Sequence, residues 1–275
     1  MKKNEKKYYY KVISSGDVLE IYSYQYAQYK ELPLDDLLDE VLVNEELEKE
    51  KKKQDEISLQ EQSNTEKEKE DEKKYTRSRI AIQRTKRRLK RLISANVGQH
   101  RYTDKFVTLT FKGDPPTREK VCYKFKKFKE RMYRRYGKFE YLAVIEIGAE
   151  NGRLHIHMIT FGLNYIKRDE LEKIWGNGFI DIKKIHEIND VENYILKYIE
   201  KTLEGDYIGK GQRFYFPSQG LKKPIESYHE DDSFLMDMDY DLGNCECDVE
   251  FKSEHVVGKV VYQRFRRVNY DWFDD

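Results

Sequence analysis

The residues best suited to chemistry lie in one short stretch, Glu146-Ile-Gly-Ala-Glu-Asn-Gly-Arg-Leu-His155-Ile-His157-Met-Ile159. It reads strand, turn, strand. Tyr141–Ile147 is apolar and β-branched, Glu150-Asn151-Gly152 is a turn signal, and Leu154–Phe161 is strand-like again. Side chains alternate along a strand, so His155 and His157 share one face while Leu154, Ile156 and Met158 share the other. A tight hairpin returns Glu146 beside the histidines. Two imidazoles and a carboxylate suit a divalent cation such as Mg²⁺, Mn²⁺ or Zn²⁺. Three protein ligands leave positions open for a substrate oxygen, which catalysis needs and a structural site avoids. A His-x-His pair also arises by chance on half-exposed strands, so its weight depends on what accompanies it.

The second reactive group is Tyr194-Ile-Leu-Lys197-Tyr198-Ile-Glu-Lys201. On a helix, Tyr194 and Tyr198 share a face, and Lys197 and Lys201 form the adjacent row. A phenol of pKa about 10 is a poor nucleophile in water. A cation that draws charge from a phosphate, with lysines nearby, makes phenol attack feasible. In a chain with 22 tyrosines the plain alternative is an amphipathic pair at a helix–sheet contact. Order and context tell against it: a Thr-rich strand, then Glu with His-x-His, then Tyr-x-x-Lys-Tyr.

The elements that must position these residues follow from periodicity. Phe106-Val-Thr-Leu-Thr-Phe111 is a strand with Phe106, Thr108 and Thr110 on one face. Asp114 can cap the next helix, with Pro115 in its first turn. That helix runs to about Tyr136, turning Val121, Phe125, Phe128 and Met132 inward and Lys120, Lys124, Lys127, Arg131, Arg134 and Arg135 outward. After the two central strands come a helix at Arg168–Trp175, a Gly176-Asn-Gly178 turn, a strand at Phe179–Ile185 and a helix at Val191–Leu203. The order β-α-β-β-α-β-α predicts an α+β fold: an antiparallel sheet with helices on one face and the other face free for a ligand.

Around this unit, residues 1–30 read as a β-hairpin, with Tyr8–Ile13 and Val18–Tyr22 flanking Ser14–Asp17; its tyrosines are assigned to packing. Residues 31–74 read as an acidic helix, with Leu34, Leu37, Leu38, Val41 and Leu42 in one stripe, followed by a charged segment that is either a flexible linker or the extension of an exposed helix. Residues 75–100 form a basic helix carrying Arg77, Arg79, Arg84, Arg87, Arg88 and Arg91, read as a phosphate-contacting surface. Residues 101–224 hold the reactive unit, and 225–275 an acidic loop and late strands that pair with the N-terminal hairpin.

Composition narrows the classes. Charged residues are 37% of the chain and the formal net charge is only +1, but the charges are segregated. No apolar run is long enough to span a membrane, and the opening Met-Lys-Lys-Asn-Glu-Lys-Lys leads into tyrosines, not the apolar stretch of a signal peptide. Cys122, Cys245 and Cys247 have no metal-site spacing; a reducing cytoplasm is expected, with Cys245-Glu-Cys247 as ordinary loop cysteines. No phosphate-binding Gly-x-x-x-x-Gly-Lys-Ser/Thr loop is present, so no built-in helicase is expected.

Taken together, the motifs resemble the HUH endonucleases, specifically the replication-initiator (Rep) proteins of rolling-circle plasmids and phages, including the gene II-type proteins of filamentous phages. Phe106–Phe111 is similar to their first motif and His155-Ile-His157 to the metal-binding motif. Tyr194-Ile-Leu-Lys197-Tyr198 resembles the nucleophile motif of the two-tyrosine branch, and Gly211–Pro224 a segment that follows it. The resemblance covers about Arg77 to Pro224. It implies that Glu146, in preference to Glu150, is the third ligand, and that the cation is Mg²⁺ or Mn²⁺. It also implies that Tyr194, Tyr198 and Lys197 carry out single-strand nicking and rejoining at an origin through a 5′-phosphotyrosine. The freed 3′-hydroxyl would prime a host polymerase, with a host helicase recruited. The basic helix, Lys120, Lys124, Lys127 and Lys201 would grip DNA phosphates. The rivals are an RRM-like single-strand binder without chemistry, a related relaxase or transposase, and a His-x-His-x-His nucleotide hydrolase, against which Ile159 stands at the third position.

Overall fold

The structure, a computed structural model, describes residues 7–29, 34–55, 66–99, 103–113, 116–147, 153–185, 191–204, 215–237, 242–253 and 256–267. Along the chain they form β1 (Tyr8–Ser15), β2 (Val18–Gln28), α1 (Leu34–Asp55), α2 (Glu66–Ser94), β3 (Lys105–Leu109), α3 (Arg118–Tyr136), β4 (Glu140–Ile147) and β5 (Leu154–Phe161). There follow α4 (Arg168–Trp175), β6 (Ile180–Lys184), α5 (Val191–Glu204), β7 (Tyr215–Pro217), β8 (Ile225–His229), α6 (Phe234–Asp237), β9 (Leu242–Ser253) and β10 (Val256–Arg267). Two units result, one from residues 1–88 and 224–275, the other from Leu89–Lys223.

The first unit is an antiparallel sheet in the order β8-β1-β2-β10-β9. Gly16 turns β1 into β2 at φ 62°, a left-handed value that glycine adopts cheaply. The tyrosines pack: Tyr22 is fully buried, with its ring 4.9 Å from that of Tyr262. The late strands complete the sheet, β10 against β2 and β9 outside it. Residues 225–229, expected in a loop, form β8 on the outer edge of β1. Tyr228 turns toward the core there, while Glu226 pairs with Lys11 at 3.1 Å. Cys245 and Cys247 likewise lie in β9 instead of a loop, held in register against β10. Leu37, Leu38, Val41 and Leu42 of α1 join this core. Helix α2 begins at Glu66, so the later part of the charged segment is helix and not linker.

The second unit is an antiparallel sheet in the order β6-β3-β5-β4-β7. One face buries Val107, Leu109, Phe111, Ala143, Ile145, Leu154, Ile156 and Met158 against Val121, Phe125, Phe128 and Met132 of α3 and Leu171 and Trp175 of α4. Helix α3 starts later than the Asp114 cap predicted: Thr117 caps it, its side chain accepting from the Lys120 amide. Asp114 and Pro115 lie outside the described residues. Phe106, Leu142, Val144, Ile159 and Phe161 line the opposite face. That face is not wholly free as expected: Ile195 and Leu196 of α5 pack there with Leu89 and Ile93 from the end of α2. Ser94 ties the two helices, donating to Glu192 at 2.5 Å.

Candidate active site

Strand register brings the cluster together. Thr108, His157 and Val144 face one another across β3, β5 and β4, and Glu146 pairs with His155 one row along. One ligand atom from each of Glu146, His155 and His157 lies within 4.8 Å of the others. This spacing admits a common ion after modest side-chain adjustment, since first-row bond lengths are about 2 Å. Glu146 and His157 are buried, at 6% and 5% exposure. His157 Nε2 lies 2.6 Å from Glu146 Oε2, and His157 Nδ1 lies 3.1 Å from Thr108 Oγ1. With Nε2 on a cation, Nδ1 carries the proton and donates to Thr108, an outer hydrogen bond that orients metal-binding imidazoles. Burial first, and then the neighbouring His157, lower the His155 pKa and favour the neutral form that a metal requires. The donor set therefore fits a divalent cation. Glu150 lies outside the described residues.

Helix α5 lays both tyrosines onto this face. The Tyr198 ring stacks on His157, centroids 3.7 Å apart, and Tyr194 meets Phe106 edge-on at 4.9 Å. Their own rings are 5.6 Å apart. Lys197 Nζ lies over both, 4.1 Å from the Tyr194 centroid and 4.9 Å from that of Tyr198. From the sheet edge, Lys183 of β6 donates to the Tyr194 hydroxyl at 3.3 Å. Burial alone would raise the Tyr194 pKa. The Tyr198 hydrogen bond, with Lys183 and Lys197, outweighs it and holds that phenol below its ordinary value. Burial pushes Tyr198 well up, reinforced by Tyr194, Glu146 and Asp181. Tyr194 is thus the phenol held low and Tyr198 the phenol held high.

The basic residues divide. Arg87 binds Asp39 at 2.6 Å, with the Asp39 side chain 1% exposed; burial pushes that carboxyl up to about 6 against the pull of Arg87. Arg79 pairs with Glu46 at 3.0 Å and Glu50 at 3.3 Å, and Arg91 is buried. These three therefore sit against acids or in the core, apart from the other arginines of the basic run. A helix packed in a fold spends part of its charge on neighbouring acids. Arg84 and Arg88 are exposed, as is Lys120. Lys124 lies over the Phe111 ring and Lys127 pairs with Glu130 at 2.8 Å. Arg131, read as part of an outer face, caps α4 by donating to the carbonyl of Ile174 at 2.9 Å. The side chains of Arg77 and Lys201 lie outside the described set.

Sequence reasoning passed over Lys183. Alternation puts it on a face with Asp181, but only the register, in which Lys183 faces Phe106, says that this is the tyrosine face. Residues 104–203, from the start of β3 almost to the end of α5, match the model of a family described as replication-associated protein, of the ORF2 and gene II protein type. No curated protein and no solved structure matches. Over those residues the chain is similar to replication-associated proteins of that type. No described helix is long and apolar enough to cross a membrane.

Proposed function

We propose that this chain is a rolling-circle replication initiator that nicks and rejoins one DNA strand at an origin, by the two-tyrosine chemistry of the HUH class. The observation that carries this reading is the convergence of two groups remote in sequence. Glu146, His155 and His157 lie within metal-sharing distance, and Tyr198 stacks directly on one of them. A Mg²⁺ or Mn²⁺ ion held by these three would supply positive charge to the scissile phosphate.

The chain's own residues do the rest. Tyr194 attacks phosphorus, leaving a 5′-phosphotyrosine and a free 3′-hydroxyl that a host polymerase extends. The diester energy stays in the tyrosyl bond, so rejoining needs no nucleotide. Tyr198 donates to Tyr194 as it ionises and is itself available for a second cleavage. Lys197, over both rings, stabilises the anionic phenol. Arg84, Arg88 and Lys120 are exposed cations that can hold phosphates without reading sequence. An RRM-like binder needs open aromatics on its sheet. Here Phe106 is 1% exposed beneath the tyrosine rings, which counts against that rival.

The test is covalent trapping on single-stranded origin DNA with Mn²⁺. Tyr194→Phe should abolish the adduct or move it wholly to Tyr198, and EDTA should stop adduct formation while sparing most DNA affinity. Adducts from a Tyr194→Phe/Tyr198→Phe double variant would refute the assignment.

A further inference from the structure

Lys183 is a second cation at the tyrosine pair, on a different element from Lys197. It stands on β6, an edge strand of the second sheet, opposite Phe106 of β3. Lysine on an edge strand has an ordinary explanation, since charge there discourages strand addition by other chains. That account says nothing about where the amine points. Lys183 Nζ reaches the Tyr194 oxygen at 3.3 Å, with the ring centroid 5.7 Å away. Lys197 lies over the ring face, 4.1 Å from its centroid. The two lysines thus do different work: one covers the ring, the other addresses the oxygen that would bond to phosphorus.

Resting on the nicking reading above, we propose that Lys183 is a catalytic residue whose ammonium stabilises the Tyr194 phenolate in attack and receives it again when the strand is rejoined. In the forward step the Tyr194 proton leaves to solvent and the Oη–P bond forms. The P–O3′ bond breaks with its electron pair on O3′, which takes up a proton. Rejoining reverses each change, and nothing is oxidised or reduced. The ammonium already makes a charge-assisted bond to the neutral phenol, and the contact tightens as negative charge collects on Oη and the acceptor becomes ionic too. That differential lowers a barrier, whereas uniform binding does not. Among the described residues, Lys197 and Tyr198 from α5 and Phe106 from β3 also surround Tyr194, and Asp181 from β6 bears on Lys183 and Tyr198. His157 and Glu146 lie beyond Tyr198. Tyr194 itself does most to raise the Lys183 pKa, with Asp181 adding to it, and burial does most to raise that of Tyr198, with Tyr194, Glu146 and Asp181 adding to it.

The test uses the full chain with Lys183→Met and Lys183→Arg. In the first arm, tyrosines labelled with ¹³C at Cζ are titrated by NMR without DNA or metal, with the Tyr194 signal identified by its loss in Tyr194→Phe. Lys183→Met should move the Tyr194 midpoint to higher pH, and Lys183→Arg should leave it near the parent value. In the second arm, covalent adducts to a pool of random single-stranded oligonucleotides are followed with Mn²⁺ across pH. Each unit by which the midpoint rises should cost Lys183→Met about tenfold in adduct rate at neutral pH, and displace its rate–pH curve upward. An unmoved midpoint, or an equal loss at every pH without displacement, overturns the role given to Lys183 and leaves the nuclease reading standing. Absence of adducts from the unaltered chain overturns the nuclease reading and the catalytic role with it, whatever the first arm shows. Lys183 is exposed, so a matched urea midpoint is expected for both variants.

Discussion

Replacing Thr108 with valine removes one oxygen and keeps the branched shape that suits a strand. That oxygen is the partner of His157 Nδ1 at 3.1 Å, while the other ring nitrogen faces Glu146 at 2.6 Å. If His157 is a metal ligand through Nε2, Thr108 fixes both its tautomer and its ring angle. Loss of such an outer partner costs about 10–100-fold in metal affinity, or about 1.4–2.7 kcal/mol. His157 is only 5% exposed, so water does not readily replace the lost acceptor. The assay is calorimetric titration of the metal-stripped chain with Mn²⁺, without DNA, for the parent, Thr108→Val and Thr108→Ser. Serine keeps the hydroxyl and should keep the affinity, which separates the hydrogen bond from the packing of the methyl group. Urea midpoints show whether the fold has been weakened instead. A valine variant that binds Mn²⁺ as tightly as the parent would refute the reasoning, because His157 would then need no help to present Nε2. Equal losses for valine and serine would refute it too.

Arg87→Ala should destabilise the first unit by about 3–5 kcal/mol, since it strands a buried Asp39 without its cation; urea denaturation measures this, and a surface-sized loss would mean the pair is solvated. Gly178→Ala puts a Cβ within 2.7 Å of the Thr110 carbonyl carbon. We expect a cost of about 1–3 kcal/mol from this overpacking and a fall in adduct formation as β6 and Lys183 shift, both read against the parent. Tyr198→Phe should confine adducts to Tyr194. It should also move the rate–pH curve upward, because Tyr194 loses the donor that helps to hold its pKa down and less phenolate forms at any given pH. An unshifted curve would show that the two hydroxyls are not coupled.

Several features were legible because they depend on alternation alone. Strand period two separated His155 and His157 from Leu154, Ile156 and Met158, and the apolar side went into the core. Helical spacing likewise selected Val121, Phe125, Phe128 and Met132 on α3. The helix cap was misplaced: the sequence offered Asp114, and the structure uses Thr117 ahead of a helix that begins at Arg118. Charge was the poorest guide. Arg79 and Arg87 look like free cations in a basic run, yet each meets acids on α1, which lies far away in sequence.

The sequence by itself determined which side chains share a face on each element, because that follows from backbone geometry within a few residues. It also set the chemical types available: a carboxylate, two imidazoles, two phenols and several lysines. Only the tertiary structure decided which faces meet. Strand order and register put Glu146 beside His155 and Thr108 beside His157. The packing of α5 laid Tyr198 on His157, and the placement of β6 at the sheet edge brought Lys183 to Tyr194. Such pairings are long-range: burying one apolar surface against another selects them, and no local pattern encodes which surface that will be.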